Sequence, residues 1–410
     1  MTQEWIREIL DRTDCVRFSG SAEEKAAAEY LKSLCEAQGA AAWLEPFDVA
    51  AAEIRSECLT ADGKEIPCRG YLLCGSGSVE APLCYLPNTD AASIASAKGK
   101  IVLLDSSLTY WLYHDLLDAG AVGFITYAGN VHYADRDIDR IALRPYVSHD
   151  RKALCARINA KDAFDLVQAA PKMVCIQIDQ TEYTAQSQNV IAEVPGRTDE
   201  WITLTAHYDS TSLSHGAYDN MTGCIGLLGV LEALKEKAPL RYGLRFIFCG
   251  SEELGLLGSK AYTAAHAGEL EKTALNINLD MIGTYMGRFI ARVSAEEKLV
   301  HFLEYFSAQR GWGMDARQDI YSSDSTPFAD RGVPALSFAR LATPSQAVIH
   351  TRYDTKHLIS EGQMNADTEF ITAFTLGMAD AAKCPVSREI PEAVKEKLDE
   401  YLLRKRKKEG

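Results

Sequence analysis

The chain has 410 residues, 47% hydrophobic and 24% charged, a globular composition suited to two or three domains of about 100–200 residues each. Its formal net charge is −14, and −14 less the five cations of the run 404–408 leaves −19 for the remainder. A body this acidic argues against phosphate-backbone binding, so no nucleic-acid partner is expected, while cationic ligands or metals are compatible with it. No apolar run approaches the roughly 20 residues that span a bilayer, and no membrane partner is expected. The N-terminus is charged throughout and lacks the basic-then-apolar pattern of a signal peptide, which predicts a cytoplasmic protein. Eleven cysteines, an odd number in a large chain, read as free thiols rather than a disulfide framework.

Residues 1–47 predict two helices. Trp5, Ile6, Ile9 and Leu10 form an apolar stripe at helical spacing. Ser21 and Glu24 make a capping box for the second helix, whose buried face continues through Ala27, Leu31, Leu34 and Cys35 before Gly39. From 48 to 186 the texture changes to short segments punctuated by Gly, Pro and Asn. Within it, a strand over 100–105, a helix over 112–119 and a strand over 121–127 form a small βαβ-like unit with no recognisable catalytic constellation. From 189 onward strands and helices alternate: strands over 189–194, 201–206, 242–249, 274–279 and 335–338, and helices over 220–237, 251–266, 295–309 and 366–382. This alternation predicts an α/β sandwich with a largely parallel central sheet. Val394, Leu398, Tyr401 and Leu402 continue the pattern as an amphipathic C-terminal helix, followed by the basic run.

Ligands in such sheets bind at the carboxyl ends of the strands, and the polar residues here stand at those ends. His207 and Asp209 follow the strand over 201–206. Asp219 precedes a helix, Glu252 and Glu253 follow the strand over 242–249, Asp280 follows the strand over 274–279, and His350 stands late in the chain. Singly, each has an ordinary explanation: an H-x-D surface pair, an N-cap aspartate, acidic residues in a first helical turn. Five such features in one domain outweigh those explanations. Converging carboxylates would repel one another and have raised pKa values, a problem that divalent cations remove. The mixed imidazole–carboxylate set suits zinc or cobalt better than magnesium or calcium, and a shared carboxylate would suit a dinuclear site.

The order and wording of these segments resemble the M28 family of di-zinc exopeptidases, the zinc aminopeptidases. The resemblance rests on His207-Tyr-Asp209, Gly216-Ala-Tyr-Asp219-Asn220, Ser251-Glu-Glu-Leu-Gly255, Asn278-Leu-Asp280-Met-Ile-Gly283, Ser323-Asp324 with Pro327-Phe328, and His350-Thr-Arg-Tyr-Asp354. It implies two zinc ions, with cobalt or manganese as alternatives. Asp219 would bridge them, His207 and Asp280 would complete one site, and Glu253 with His350 the other. Glu252 would be the general base, taking a proton from the attacking water and passing it to the leaving amine. Asp209 would fix the tautomer of His207, and Tyr321 lies where several members place an oxyanion-stabilising hydroxyl. One position departs from the pattern: members often show Ser-Asp-His, and here the histidine position is Ser325. The segment 48–186 is similar to the protease-associated domain that many members carry, chiefly through 99–104 and 119–125.

The expected organisation is a discontinuous peptidase domain, 1–47 with 187–390, interrupted by an inserted domain over 48–186 and followed by a helix and basic tail over 391–410. The expected activity is hydrolysis of N-terminal peptide bonds in peptides with a free N-terminus. The alternatives are a glutaminyl-cyclase-like or carboxypeptidase activity on the same scaffold, or a non-catalytic binding protein. Of the histidines outside the constellation, His215 is closest to it in sequence.

Overall fold

The computed structural model describes residues 1–105, 107–132, 137–235, 237, 239–343, 345–347 and 349–406; Lys407 and Lys408 of the basic run lie outside them. The chain separates into two compact units, Met1–Val49 with Gln186–Gly410, and Ala50–Ala185. It passes between them along two 21-residue strands, β1 (Ala41–Ala61) and β2 (Val174–Val194).

The first unit is built on a mixed sheet whose further strands are β3 (Trp201–His207), β4 (Gly243–Cys249), β5 (Thr273–Leu279), β6 (Arg288–Ser294), β7 (Asp315–Gln318) and β8 (Ala335–Leu341). Their order is β7-β6-β8-β5-β3-β4-β2-β1. The centre is parallel: β3 pairs in parallel with both β4 and β5, and β5 with β8. Strands β2 and β6 join it antiparallel, on β4 and β8 respectively. The central strands are near-continuous apolar runs because both faces are covered. Alternate residues divide between the two faces: Phe246 and Phe248 join the larger core, and Ile247 and Cys249 the smaller one.

Helices α1 (Gln3–Arg12), α2 (Ala22–Ala37), α3 (Thr222–Glu232), α5 (Glu297–Gln309) and α7 (Glu361–Ala379) supply the larger core. Helices α4 (Leu257–Ala265) and α6 (Ser325–Asp330) cover the other face through Tyr262 and Phe328. The amphipathic C-terminal helix is α8 (Glu392–Tyr401); its Val394 and Leu398 are buried against Ala329 of α6 and Ala335 of β8. The structure thus has the α/β architecture expected from the alternation, with three strands, β1, β6 and β7, that the pattern did not reveal, and with β2 beginning at Val174 rather than at 189.

Two local expectations change. Residues 251–256 form a turn rather than helix, with Ser251 and Leu256 at positive φ, and α4 begins only at Leu257. The segment expected to open as a helix at 220 is instead a wide turn, Ala217–Met221, with the helix starting at Thr222.

The second unit contains a five-stranded sheet in the order Arg69–Gly70, Cys155–Asn159, Gly123–Ala128, Ile101–Leu104, Leu83–Leu86. The helix Tyr110–Asp118 connects the parallel strands Ile101–Leu104 and Gly123–Ala128, as the βαβ reading requires. Ile101, Val102, Leu103 and Leu104 are fully buried at its centre. Among the described residues, no helix is long and apolar enough to cross a membrane.

Candidate metal centre

The site lies at the carboxyl ends of β3, β4 and β5. His207 is the last residue of β3 and is 1% exposed. Its Nε2 stands 3.1 Å from Asp219 Oδ1 and 3.8 Å from Asp280 Oδ1, and its Nδ1 stands 3.5 Å from Asp209 Oδ1. The other oxygen of Asp219, Oδ2, stands 3.1 Å from His350 Nε2, which is also 3.1 Å from Glu253 Oε2. His207, Asp219 and Asp280 therefore form one triad of donors, and Asp219, Glu253 and His350 a second. Within each triad the donor atoms lie within 4.8 Å of one another. Asp219 belongs to both and offers a different oxygen to each.

The backbone explains how these side chains converge. Asp219 lies in the wide turn, with Gly216 at φ +56° before it and a cis peptide bond to Asn220 after it. A Cβ at Gly216 would approach the Asp219 carbonyl to 2.7 Å, so only glycine fits this turn. Asp354 is fully buried and accepts from the Tyr218 amide (2.7 Å) and the Asp219 amide (3.0 Å). Asn220 ties the turn to the end of β5, donating to the Leu279 carbonyl (2.9 Å) and accepting from the Met281 amide (2.9 Å). Asp209 accepts from the amides of Glu252 (2.9 Å) and Glu253 (3.2 Å) while facing His207. One buried carboxylate thereby holds both the histidine and the turn that carries the two glutamates. His350 has a left-handed backbone (φ 58°) and a side chain 49% exposed, so one edge of the second triad meets solvent.

The electrostatics follow from crowding. Burial and the neighbouring Glu253, Asp324 and Asp280 carboxylates raise the Glu252 pKa well above its ordinary value, although His207 opposes them. Burial, with the Asp219 charge, pushes Glu253 up to about 7. Burial also disfavours charge on Asp219, yet His207 and His350 outweigh it and hold its pKa below the usual carboxylate range. Desolvation opposes charging of His350, but Asp219 and Glu253 bring it up to about 11. In the absence of a cation, Glu252, Glu253 and His350 keep protons that isolated groups would lose. The donor set fits divalent metal: Asp280 Oδ1 is buried without a hydrogen bond and faces His207, and neutral imidazoles with carboxylates suit zinc-like ions.

All eight residues singled out in the sequence lie in this region. Tyr321 is half-buried, and its hydroxyl pKa is raised by burial and then by the Asp280, Asp219, Tyr218 and Glu252 charges, which places it in the field of the same carboxylates. Ser325 turns away into the fold, its hydroxyl 2.7 Å from that of Ser337 on β8. His215 pairs with Asp14 (Nδ1 to Oδ1, 2.6 Å) and belongs to neither triad.

Four residues around the site had no role there from sequence: Arg17, Asp324, Asp354, and Glu24, which was read only as part of a capping box. Asp324 is fully buried, and burial lifts its carboxyl to about 6. Asp354 sat inside the His350-Thr-Arg-Tyr-Asp354 signature, so its spacing from His350 was the available signal.

Comparison with known proteins bears on the fold and on the family resemblance. The sequence profile of peptidase family M28 matches residues 189–375. The chain is 29% identical over 294 residues to aminopeptidase YwaD of Bacillus subtilis, covering 68% of this chain and 62% of that protein. It is 30% identical over 258 residues to leucine aminopeptidase 2 of Trichophyton equinum, covering 58% and 50%. The matched region is thus less than two thirds of either relative. Among solved structures, BSAP, a zinc aminopeptidase from Bacillus subtilis, superposes with a TM-score of 0.75 at 23% identity, covering 94% of this chain and 98% of that one. An aminopeptidase from Aneurinibacillus sp. strain AM-1 gives 0.75 at 22% identity, covering 93% and 95%. The matched profile of peptidase family M28 lies within the unit that carries both triads and spans all of their residues.

Proposed function

We propose that this protein is a di-zinc aminopeptidase that removes N-terminal residues from peptides. The observation that carries the reading is the division of Asp219 between two triads, one oxygen 3.1 Å from His207 Nε2 and the other 3.1 Å from His350 Nε2. Zinc bound in the triads would supply Lewis acidity toward the scissile carbonyl and the attacking water. His207 and Asp280 would hold one ion, Glu253 and His350 the other, with Asp219 common to both.

Glu252 is the proton carrier. Its carboxyl is not needed by either triad, and burial beside other carboxylates tunes it toward holding a proton. It takes the proton from water as the carbonyl carbon is attacked, and delivers it to the nitrogen as the peptide bond breaks. Asp209 keeps the Glu252 and Glu253 amides fixed during that transfer. Tyr321 is the side chain assigned to donate to the oxyanion. A free α-ammonium group suits the excess of carboxylates, whereas an acylated amine offers no charge to them.

The test is hydrolysis of a panel of N-terminally free, N-terminally blocked and C-terminally blocked peptides, with and without chelator, alongside metal counting. Release of the first residue from free peptides only, abolished by chelator and accompanied by two metals per chain, is the expected result. Cleavage from the C-terminal end, or one metal with cyclisation of N-terminal glutamine, would replace the reading with another reaction. Binding without turnover would leave a binding protein.

A further inference from the structure

Two buried charged residues of the N-terminal segment contribute no atom to either triad, yet both reach the loops that carry them. Arg17 is 0% exposed, and its guanidinium is satisfied by backbone carbonyls. Nε donates to Tyr208 (2.6 Å), Nη1 to Thr13 (2.7 Å), Cys15 (3.0 Å) and His215 (2.6 Å), and Nη2 to Gly216 (2.9 Å). Its own amide donates to Ser210 Oγ at 3.0 Å, and its carbonyl accepts from the Ser210 amide at 3.1 Å. The residues flanking Asp209, and those leading into Asp219, are therefore fastened to one residue, Ser210 through its backbone and Tyr208, His215 and Gly216 through its guanidinium.

Glu24 does the equivalent for the next loop. Its Oε1 accepts from Ser187 Oγ (2.8 Å), the Ser251 amide (3.1 Å) and Ser251 Oγ (3.2 Å), and its Oε2 accepts from the Gly20 amide (2.6 Å). Ser19 Oγ also bonds to Ser251 Oγ. Ser251 has φ +55°, a strained conformation for a non-glycine residue that persists only when its surroundings impose it. Glu252 and Glu253 follow directly. Their amides are held by Asp209 from one side, so the turn is gripped by one carboxylate before the glutamates and another across them.

We propose that residues 17–24 act as a positioning clamp for the site. Arg17 sets the loops bearing Asp209 and Asp219, Glu24 sets the turn bearing Glu252 and Glu253, and the short segment between them fixes the spacing of the two loops. Arg17 and Glu24 are positioning residues and touch neither substrate nor metal. The kinetic arm of this inference rests on the aminopeptidase reading; its exchange and metal-binding arms do not.

The experiment uses the full chain and the variants Glu24→Gln, Ser251→Ala and Leu31→Ala. Leu31 lies in the core face of α2, and its truncation serves as a destabilised control. Glutamine at 24 keeps the shape but presents an amide where Gly20 or Ser251 must donate. For Glu24→Gln we expect faster amide exchange in the peptide 249–257 and weaker zinc binding by chelator competition. We also expect kcat to fall about ten- to a hundredfold with KM near wild type, the signature of misplaced catalytic groups. Ser251→Ala should shift the same quantities less. Leu31→Ala should lower the melting temperature while leaving exchange in 249–257 and kcat at wild-type levels. Wild-type exchange and zinc affinity in Glu24→Gln would overturn the clamp, as would an equal response in Leu31→Ala. If the wild-type chain cleaves no peptide, the aminopeptidase reading fails, and exchange and zinc affinity alone decide the clamp.

Discussion

Asp354→Asn isolates the support of the shared carboxylate. Asp354 is fully buried and uses both oxygens as acceptors, one for the Tyr218 amide at 2.7 Å and one for the Asp219 amide at 3.0 Å. Asparagine retains one acceptor and turns an NH2 group toward the other amide, so one hydrogen bond to a charged acceptor is lost, worth about 1.5–3 kcal/mol. The backbone that loses it carries Asp219, which serves both triads. If that energy is spent on placing Asp219, zinc affinity should fall about ten- to a hundredfold, since each tenfold corresponds to about 1.4 kcal/mol. Loss of a partner outside the ligand set has this size at other metal sites. Metal-free protein titrated with zinc against a chromophoric chelator would measure both steps, and both should weaken. A variant that melts earlier yet binds two zinc ions with wild-type affinity would refute the reasoning, because Asp354 would then support the fold without placing Asp219.

Glu252→Gln should leave zinc content near wild type and lower kcat by about 10²–10⁴-fold, because it removes the proton carrier and spares both triads; substantial residual turnover would exclude the role. Asp219→Ala should reduce occupancy of both metal positions, and elemental analysis showing two tightly held ions would rule out a shared ligand. In the metal-free protein, Glu24 stands at about 8, Glu253 at about 7, and Asp324 and Asp354 at about 6, all above their ordinary values. Between their ordinary and raised pKa values the folded chain binds more protons than the unfolded one, so stability falls as pH rises through that window. His350, raised to about 11, acts in the same direction above pH 6.5, and the depressed Asp219 contributes stability that is already present above pH 3.8. The melting temperature of chelator-treated protein should therefore be lower at pH 8.5 than at pH 5.5, and added zinc should reduce the difference. A metal-free melting temperature that climbs with pH would contradict the assignment.

The central strands were legible because both faces of the sheet are covered, which leaves apolar runs such as 201–207 and 243–249. Strands β6 and β7 were not. Arg288, Arg292 and Arg317 interrupt them; Asp315 accommodates all three, and for Arg288 and Arg292 it becomes a partner only after the strands pair. Glu252 and Glu253 have the sequence of an acidic first helical turn, yet their amides are taken by Asp209, 43 and 44 positions earlier, and the helix waits until Leu257. Glu24 shows the limit of local reading most clearly. Its amide does donate to Ser21 Oγ (3.0 Å), as a capping box requires, while its carboxylate also reaches Ser187 and Ser251. Arg17 left no sequence signal at all, because carbonyl groups are its partners and every residue has one.

The same partnerships explain why so acidic a cluster can be buried. Asp209, Asp219, Asp280, Asp324 and Asp354 are each no more than 5% exposed, and isolated buried carboxylates would be prohibitively costly. Asp209 and Asp354 are each held by two backbone amides, and neither belongs to a triad. Asp219 and Asp280 differ: both face His207 Nε2 within a triad, and Asp280 Oδ1 has no hydrogen bond. The division is between carboxylates consumed by the backbone, which fix geometry, and carboxylates left to face one another across histidines, which require positive charge. Protons can supply that charge weakly and divalent metal strongly. Metal binding and proton release at this centre are consequently linked, and the affinity for zinc should increase with pH over the range in which Glu253 loses its proton.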